Sequence, residues 1–353
     1  MTTPKGTPSL DPLDASKVLF SSTLQTLLEH LPPRSRSIVE ERFGVGTGTP
    51  KTLEEIGKSY QITRERVRQV IGSALGFLSH EKGHPSIGQV VDSIQKALNE
   101  KHGVMKADEL LEKLSSQSKK ERGALLAFLE ALSVVKEEKA TKEYEKLYRL
   151  KDFSLSHLHE VKELAKKVLI EAKDALDATE FYTRFKKLRP ELTKQELFNL
   201  LSVSKEIKQN VFGKWGLASW SDIRPRGTRE KAYLVLKTAE KPLHFRDIAK
   251  LIDSYGLQKR NRSHPQTVHN ELIKDKGFVL VGRGIYALSE WGYKRGTVKD
   301  VIADILKVSG KALSREEVLV EVLKVRQVKK STVVINLNTF FARTGKNAYT
   351  IKQ

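Results

Sequence analysis

At 353 residues the chain exceeds one ordinary domain and is expected to divide into two to five compact units. It carries 63 Lys and Arg against 43 Asp and Glu, a net charge of +20, and its longest apolar stretches, such as Val18–Leu28, are broken by Ser, Thr and Gln, so no membrane span is expected. The absence of cysteine excludes disulfides, cysteine-ligated zinc folds and thiol nucleophiles, and suits a reducing cytoplasm.

Residues 1–16 are rich in Thr, Pro and Ser and lack the basic-then-apolar order of a signal peptide. They read as a disordered leader. The first folded unit is expected over 17–85. Leu24, Leu27, Leu28 and Leu31 have helical spacing, and Pro32-Pro33 ends that helix and opens another over Arg34–Phe43. Gly44, Gly46, Gly48 and Pro50 make a loop. Thr52-x-x-Glu55 is a capping box for a helix with Leu53, Ile56 and Tyr60. Thr63 caps the next, which sets Val67, Val70, Ile71, Leu75 and Leu78 on one face. Two helices joined by a short turn at Gln61-Ile62 make a helix-turn-helix centred on 52–78.

Four diverged copies of one plan follow, over 86–153, 154–223, 224–296 and 297–353. Each shows three helices and then a short hairpin, the winged-helix order. Ser118-x-x-Glu121, Thr193-x-x-Glu196 and Ser314-x-x-Glu317 read as capping boxes, and Ser331 reads as the cap of the last helix. Val90–Lys101 and Leu158–Lys173 read as spacers or first helices of their copies. The third copy places helices near Phe245–Ser254 and Pro265–Asp275, with strands at Phe278–Val281 and Gly284–Leu288. The endings rhyme at Tyr148, Trp215, Tyr286 and Tyr349, where an aromatic ring would seal the hairpin onto the core. The expected fold is all-α with small β-wings, built as tandem helix-turn-helix and winged-helix modules.

The charge is uneven. Residues 224–353 hold 27 Lys and Arg against 12 Asp and Glu, which is +15 of the +20, whereas residues 85–223 hold 25 against 22. A polyanion is the expected partner of that surface, and the near-neutral middle copies read as spacers or protein-contact modules. In the helix after Thr63, Arg64, Glu65, Arg68 and Gln69 occupy the first two turns, from which a major-groove helix reads base edges. Arg suits guanine, Glu suits cytosine and Gln suits adenine. Thr52, Thr63 and Arg66 are candidates for phosphate contact. In the third copy Lys259, Arg260, Arg262, His264, His269 and Lys274 flank or occupy the third helix, and Arg283 sits at the hairpin tip. In the last copy Lys324, Arg326, Lys329, Lys330, Arg343 and Lys346 repeat the basic pattern. Of these, Lys329 and Lys330 are the candidates for backbone contact. Gly72 and Gly76 in the recognition helix predict a back half that is either loose or packed tightly on a neighbour.

The ordered set Leu31-Pro-Pro-Arg34, Arg42-Phe-Gly44, Pro50-Lys-Thr-Leu-Glu-Glu-Ile-Gly57 and Ile62-Thr-Arg-Glu-Arg-Val-Arg-Gln69 resembles region 4 of the sigma-70 family of bacterial transcription initiation factors. The resemblance implies that Arg64, Glu65, Arg68 and Gln69 contact −35-type promoter DNA. It also implies docking of an apolar helical groove, here within Leu24–Phe43, on the flap of the RNA polymerase core β subunit. No segment resembles the sigma parts that melt and hold the −10 element, so a complete promoter-opening factor is not expected. More weakly, Pro242-Leu-His-Phe-Arg-Asp-Ile-Ala249, Thr267-Val-His-Asn-Glu-Leu272, the Phe278–Leu288 run and Glu290-Trp-Gly292 resemble the HARE-HTH winged-helix family. That family includes the N-terminal domain of the RNA polymerase delta subunit, whose long acidic tail has no counterpart here.

The Gly44–Thr52 segment fails as a phosphate loop, because Lys51 follows Pro50, which lacks the amide N–H the cradle needs. His157, His159 and Glu160 fail as a metal cluster, because positions i and i+2 face apart on a helix. Trp215, Trp220 and Trp291 read as core or hairpin seals. No catalytic constellation, cofactor, metal or small-molecule substrate is expected. The leading reading is a non-enzymatic, cytoplasmic, nucleoid-associated factor that binds double-stranded DNA and regulates transcription initiation. Alternatives are an architectural DNA-coating protein and a DNA-binding accessory of a restriction system.

Overall fold

The computed structural model describes residues 18–80, 84–258, 262–293, 296–344 and 347–352. The expected leader at 1–16 and the basic residues Lys259, Arg260 and Lys346 lie outside them. The described residues form sixteen α-helices and small antiparallel sheets, so the fold is mainly α with minor β. No described helix is long and apolar enough to cross a membrane. The chain separates into two compact units, Met1–Ala172 with Thr179–Lys208, and Lys173–Ala178 with Gln209–Gln353.

The first unit opens with α1 (Phe20–Leu28), α2 (Pro33–Phe43), α3 (Leu53–Tyr60) and α4 (Arg64–His80). It continues through α5 (Pro85–Asn99), β1 (Val104–Lys106), α6 (Ala107–Ser115), α7 (Lys119–Ala131), β2 (Val135–Glu138) and β3 (Leu147–Leu150). One hydrophobic core runs through all of these, from Phe20 and Leu24 through Ile56, Val67 and Leu78 to Ile94, Phe128 and Tyr148. The expected modules 17–85 and 86–153 therefore share a core. Their link is α7, which packs on α1, α2 and α4. Gly123 makes that approach possible: a Cβ there would lie 2.1 Å from the Phe43 carbonyl oxygen. Ser118 accepts from the Glu121 amide at 3.4 Å, but the Glu121 carboxylate does not complete the expected box. It accepts instead from the amide and hydroxyl of Ser21, and so caps α1, whose own N-cap, Leu19, has no side-chain acceptor.

Then follow α8 (Leu155–Ala172), α9 (Ala178–Lys186) and α10 (Lys194–Ser202), with Thr193 accepting from the Glu196 amide. Lys162 on α8 is 1% exposed and lies against Glu143, Glu163 and Glu206. Desolvation pulls its pKa down, but the hydrogen bonds to these three carboxylates outweigh it and the net shift is upward. Glu143, His159 and Glu163 bring ligand-type atoms within 4.8 Å of one another, a grouping different from the one weighed in the sequence. The buried ammonium already serves these carboxylates as their cation.

Strand β4 (Ile207–Gln209) crosses the boundary, and β5 (Trp215–Leu217) lies in the second unit. There follow α11 (Thr228–Ala239), β6 (Leu243–His244), α12 (Phe245–Ser254), α13 (Pro265–Lys274), β7 (Phe278–Gly282) and β8 (Ile285–Leu288). The last set is α14 (Val298–Ser309), β9 (Leu313–Ser314), α15 (Arg315–Val325), α16 (Lys330–Phe340), β10 (Ala342–Thr344) and β11 (Ala348–Thr350). Each set buries its own small core around Tyr286 or Tyr349.

The sequence reading missed one recurring element. A strand of two or three residues precedes the second helix and adds to the second hairpin strand, giving the orders β1-β3-β2, β6-β8-β7 and β10-β11-β9. Long first helices complete these sets, so α5 is not a spacer. Its residues Ile87, Val90, Ile94 and Leu98 are buried. The Ser314–Glu317 box is complete, but Ser331 is not a cap. Helix α16 begins at Lys330 with Lys329 at the N-cap and no side-chain cap bond.

Arg326 is a further correction. Instead of joining a basic surface, it is 6% exposed and donates to the carbonyls of Leu280 and Gly296. Beside it the Gln327 amide donates to the Val281 carbonyl at 3.1 Å. The edge of β7 is thus covered by the turn between α15 and α16.

Candidate nucleic-acid interface

Helix α3 is held at both ends by arginines of α2. Arg34 donates to the Tyr60 carbonyl at 2.6 Å, with its guanidinium over the Tyr60 ring, and Arg42 donates to the Lys51 carbonyl at 3.1 Å. Nothing local in the sequence marks either arginine for this role, because the acceptors are backbone carbonyls. The capping box at its start is complete: Thr52 Oγ1 accepts from the Glu55 amide at 3.2 Å, and Glu55 Oε2 accepts from the Thr52 amide at 2.7 Å. These bonds to Thr52, backbone first and side chain second, hold the Glu55 pKa below its usual value.

The turn depends on two special positions. Gln61 takes the left-handed conformation with φ 52°, and the Ile62 amide donates to the Gly57 carbonyl at 3.0 Å. A Cβ on Gly57 would lie 2.8 Å from the Ile62 carbonyl oxygen. Gly57 therefore lets the chain turn back across α3 and start α4 at the angle of a helix-turn-helix.

Thr63 accepts from the Arg66 amide at 3.1 Å and caps α4. Val67, Ile71, Ala74, Leu75 and Leu78 face the core, and Arg64, Glu65, Arg66, Arg68 and Gln69 are all exposed. The outward side chains are organised in i,i+3 pairs. Arg68 donates through Nε to Glu65 Oε2 at 2.9 Å and through Nη2 to Glu65 Oε1 at 2.6 Å. Arg66 Nη1 donates to Gln69 Oε1 at 3.2 Å. The Glu65 pKa is lowered first by the hydrogen bond from Arg68. The clasp leaves Nη1 and the second hydrogen of Nη2 of Arg68 as a pair of donors for an outside acceptor. Gly72 and Gly76 are not packed tightly: a Cβ on either would meet nothing within 4 Å.

The expected groove on Leu24–Phe43 is occupied. Leu24, Leu27, Leu28, Ile38 and Val39 are each at most 1% exposed, and α7 covers this side of α1 and α2.

In the second unit Arg262, His264, Lys274 and Arg283 are exposed, with Arg283 at the turn between β7 and β8. His269 is half-buried. Its ring stacks on Phe245 at 4.4 Å and meets Tyr286 edge-on at 5.7 Å, so it lies off the outer face of α13. Lys329 and Lys330 are exposed at the start of α16. Tyr148, Tyr286 and Tyr349 are buried in their cores, and Trp215 is 8% exposed.

Comparison with known proteins matches residues 27–80 to the family model of sigma-70, region 4. The RNA polymerase sigma factor SigA of Microcystis aeruginosa is 43% identical over 67 residues, which is 19% of this chain and 16% of the relative. SigA of Synechocystis sp. is 43% identical over 67 residues with the same coverage, and SigA of Nostoc sp. is 45% identical over 65 residues, 18% of this chain and 17% of that protein. The chain thus spans about a sixth of the length of these curated relatives. The likeness lies in the segment that carries α2, α3 and α4, and residues 27–80 of this chain are similar to sigma-70 region 4.

Proposed function

We propose that the chain is a sequence-specific, double-stranded DNA-binding factor of transcription initiation, with no catalytic role, that reads −35-type promoter DNA through α4. The observation that carries this is the solvent-facing set Arg64, Glu65, Arg68 and Gln69 on the first two turns of a helix inside a segment similar to sigma-70 region 4. Thr52, Thr63 and Arg66 contact phosphates beside it. The remaining copies are winged-helix modules, and residues 228–293 are of the HARE-HTH type. Arg262, His264, Lys274, Arg283, Lys329 and Lys330 in the last two modules grip the DNA backbone. RNA polymerase is the natural protein partner, but its contact uses a surface other than the α1–α2 groove, which α7 fills. The protein works on the nucleoid in the cytoplasm.

Genome-wide mapping of bound DNA tests this reading. Peaks upstream of transcription start sites are expected, with Arg68→Ala weakening them about tenfold or more, as loss of one bidentate base contact does. Random coverage, or peaks indifferent to Arg68, would sink it. The basic excess of residues 224–353 favours one second reading, an architectural DNA-coating protein. Such a protein would give a steep salt slope with little sequence preference.

A further inference from the structure

We infer that α13 is a second base-reading helix, which recognises adenine-containing base pairs in the major groove through the carboxamides of Gln266 and Asn270. This rests on the proposal that the module of residues 224–296 contacts duplex DNA, and goes beyond it by giving that module sequence information of its own.

The helix has two distinct sides. Val268 and Leu272 are buried, and the His269 ring, stacked on Phe245 and edge-on to Tyr286, fixes the roll of the helix. The outer side presents Gln266, Thr267 and Asn270, all exposed, with Ile273 62% exposed one turn on. Gln266 Nε2 donates to Asn270 Oδ1 at 3.3 Å, so the two amides are held side by side across one turn. The helix carries a single acid, Glu271, and Lys274 lies 3.9 Å from it. Cations stand at the rim, Arg262 before the helix and Lys274 at its end.

A solvated face would be expected to carry charges at its centre. Here the centre is amide and apolar and the rim is cationic, the division of labour between base reading and phosphate positioning. A carboxamide offers one acceptor and one donor group, which complement N6–H and N7 of adenine, and Thr267 and Ile273 suit a thymine methyl.

Helix α10 supplies an internal control. It has the same spacing, with Gln195 Nε2 donating to Asn199 Oδ1 at 3.2 Å. There the Asn is 4% exposed and contacts His102 at 2.9 Å, so the pair serves packing. In α13 the equivalent Asn faces solvent.

The test is selection by the full chain from a randomised duplex pool, repeated with Gln266→Ala/Asn270→Ala, with Asn270→Asp and with Arg68→Ala. The unaltered chain should enrich two elements. The double variant should lose the adenine-containing element and bind the selected duplex about 10- to 100-fold more weakly, with an unchanged salt slope. Asn270→Asp, which keeps the shape and loses the donors, should erode the same element. An unchanged pool would overturn the proposal. So would a uniform weakening with a shallower salt slope, or a preference for single strands. If Arg68→Ala changes nothing while the double variant loses its element, the reading of α4 fails and this one stands.

Discussion

Gly72 and Gly76 interrupt the long helix α4 at positions where an added methyl group would touch nothing. Each costs backbone entropy without a packing return in this molecule. Gly72→Ala and Gly76→Ala should therefore each raise stability by about 0.5–1 kcal/mol in chemical denaturation. A loss of stability would show that the free protein uses these positions for a contact absent here. Gly57 is the opposite case. Its missing Cβ is occupied by the backbone of the turn, and the neighbouring Gln61 takes the left-handed conformation itself. The turn at Gln61-Ile62 thus depends on the glycine four residues upstream. The roles of Arg34 and Arg42 were hidden in the sequence for a related reason: their acceptors are backbone carbonyls, which every residue possesses.

At the scale of elements, periodicity located most helices to within a few residues, because buried faces such as Val67, Ile71 and Leu75 repeat at helical spacing. It missed β1, β6 and β9, since two or three residues are too few to show a period and these strands exist through their pairing partners. Capping was legible where both partners were local, as at Thr52 and Ser314. It was misread where a distant group competed. Glu121 serves Ser21, 100 residues away, rather than its own helix start. The docking of α7 depends on a single small residue. Gly123→Ala should cost about 2–3 kcal/mol, because the displaced neighbour is the backbone oxygen of Phe43 rather than a yielding side chain. Thermal unfolding of the variant measures this, and an unchanged midpoint would mean that α7 does not seat against α2.

For the molecule as a whole, the segment that matches sigma-70 region 4 shares its core with the helices that follow it. Its apolar side packs on α7, and the shared core runs from Phe20 to Tyr148. A fragment of residues 18–84 should lack a cooperative thermal transition and expose Leu24, Leu28 and Ile38. A fragment of residues 18–153 should unfold in one step. Circular dichroism melting with a hydrophobic dye as second probe separates the two outcomes, and a cooperative 18–84 fragment would contradict the shared core. The same packing closes the groove that the resemblance suggested for a polymerase contact. In the second unit, Arg326 plays a comparable part by tying the last helices to β7.

The sequence by itself determined the helix-turn-helix, its caps and the outward face of α4. These depend on residues within about two turns of one another, where hydrogen bonds and periodicity are local. It also determined the excess of positive charge in residues 224–353, which is a matter of counting. Only the tertiary structure decided which surfaces remain open. It buried Arg326, turned His269 inward, filled the α1–α2 groove with α7 and left Gln266 and Asn270 facing solvent while burying Asn199. The reason is that exposure is set by whichever distant segment packs against a face, and a helix with two plausible faces does not record in its own sequence which one the rest of the chain will cover.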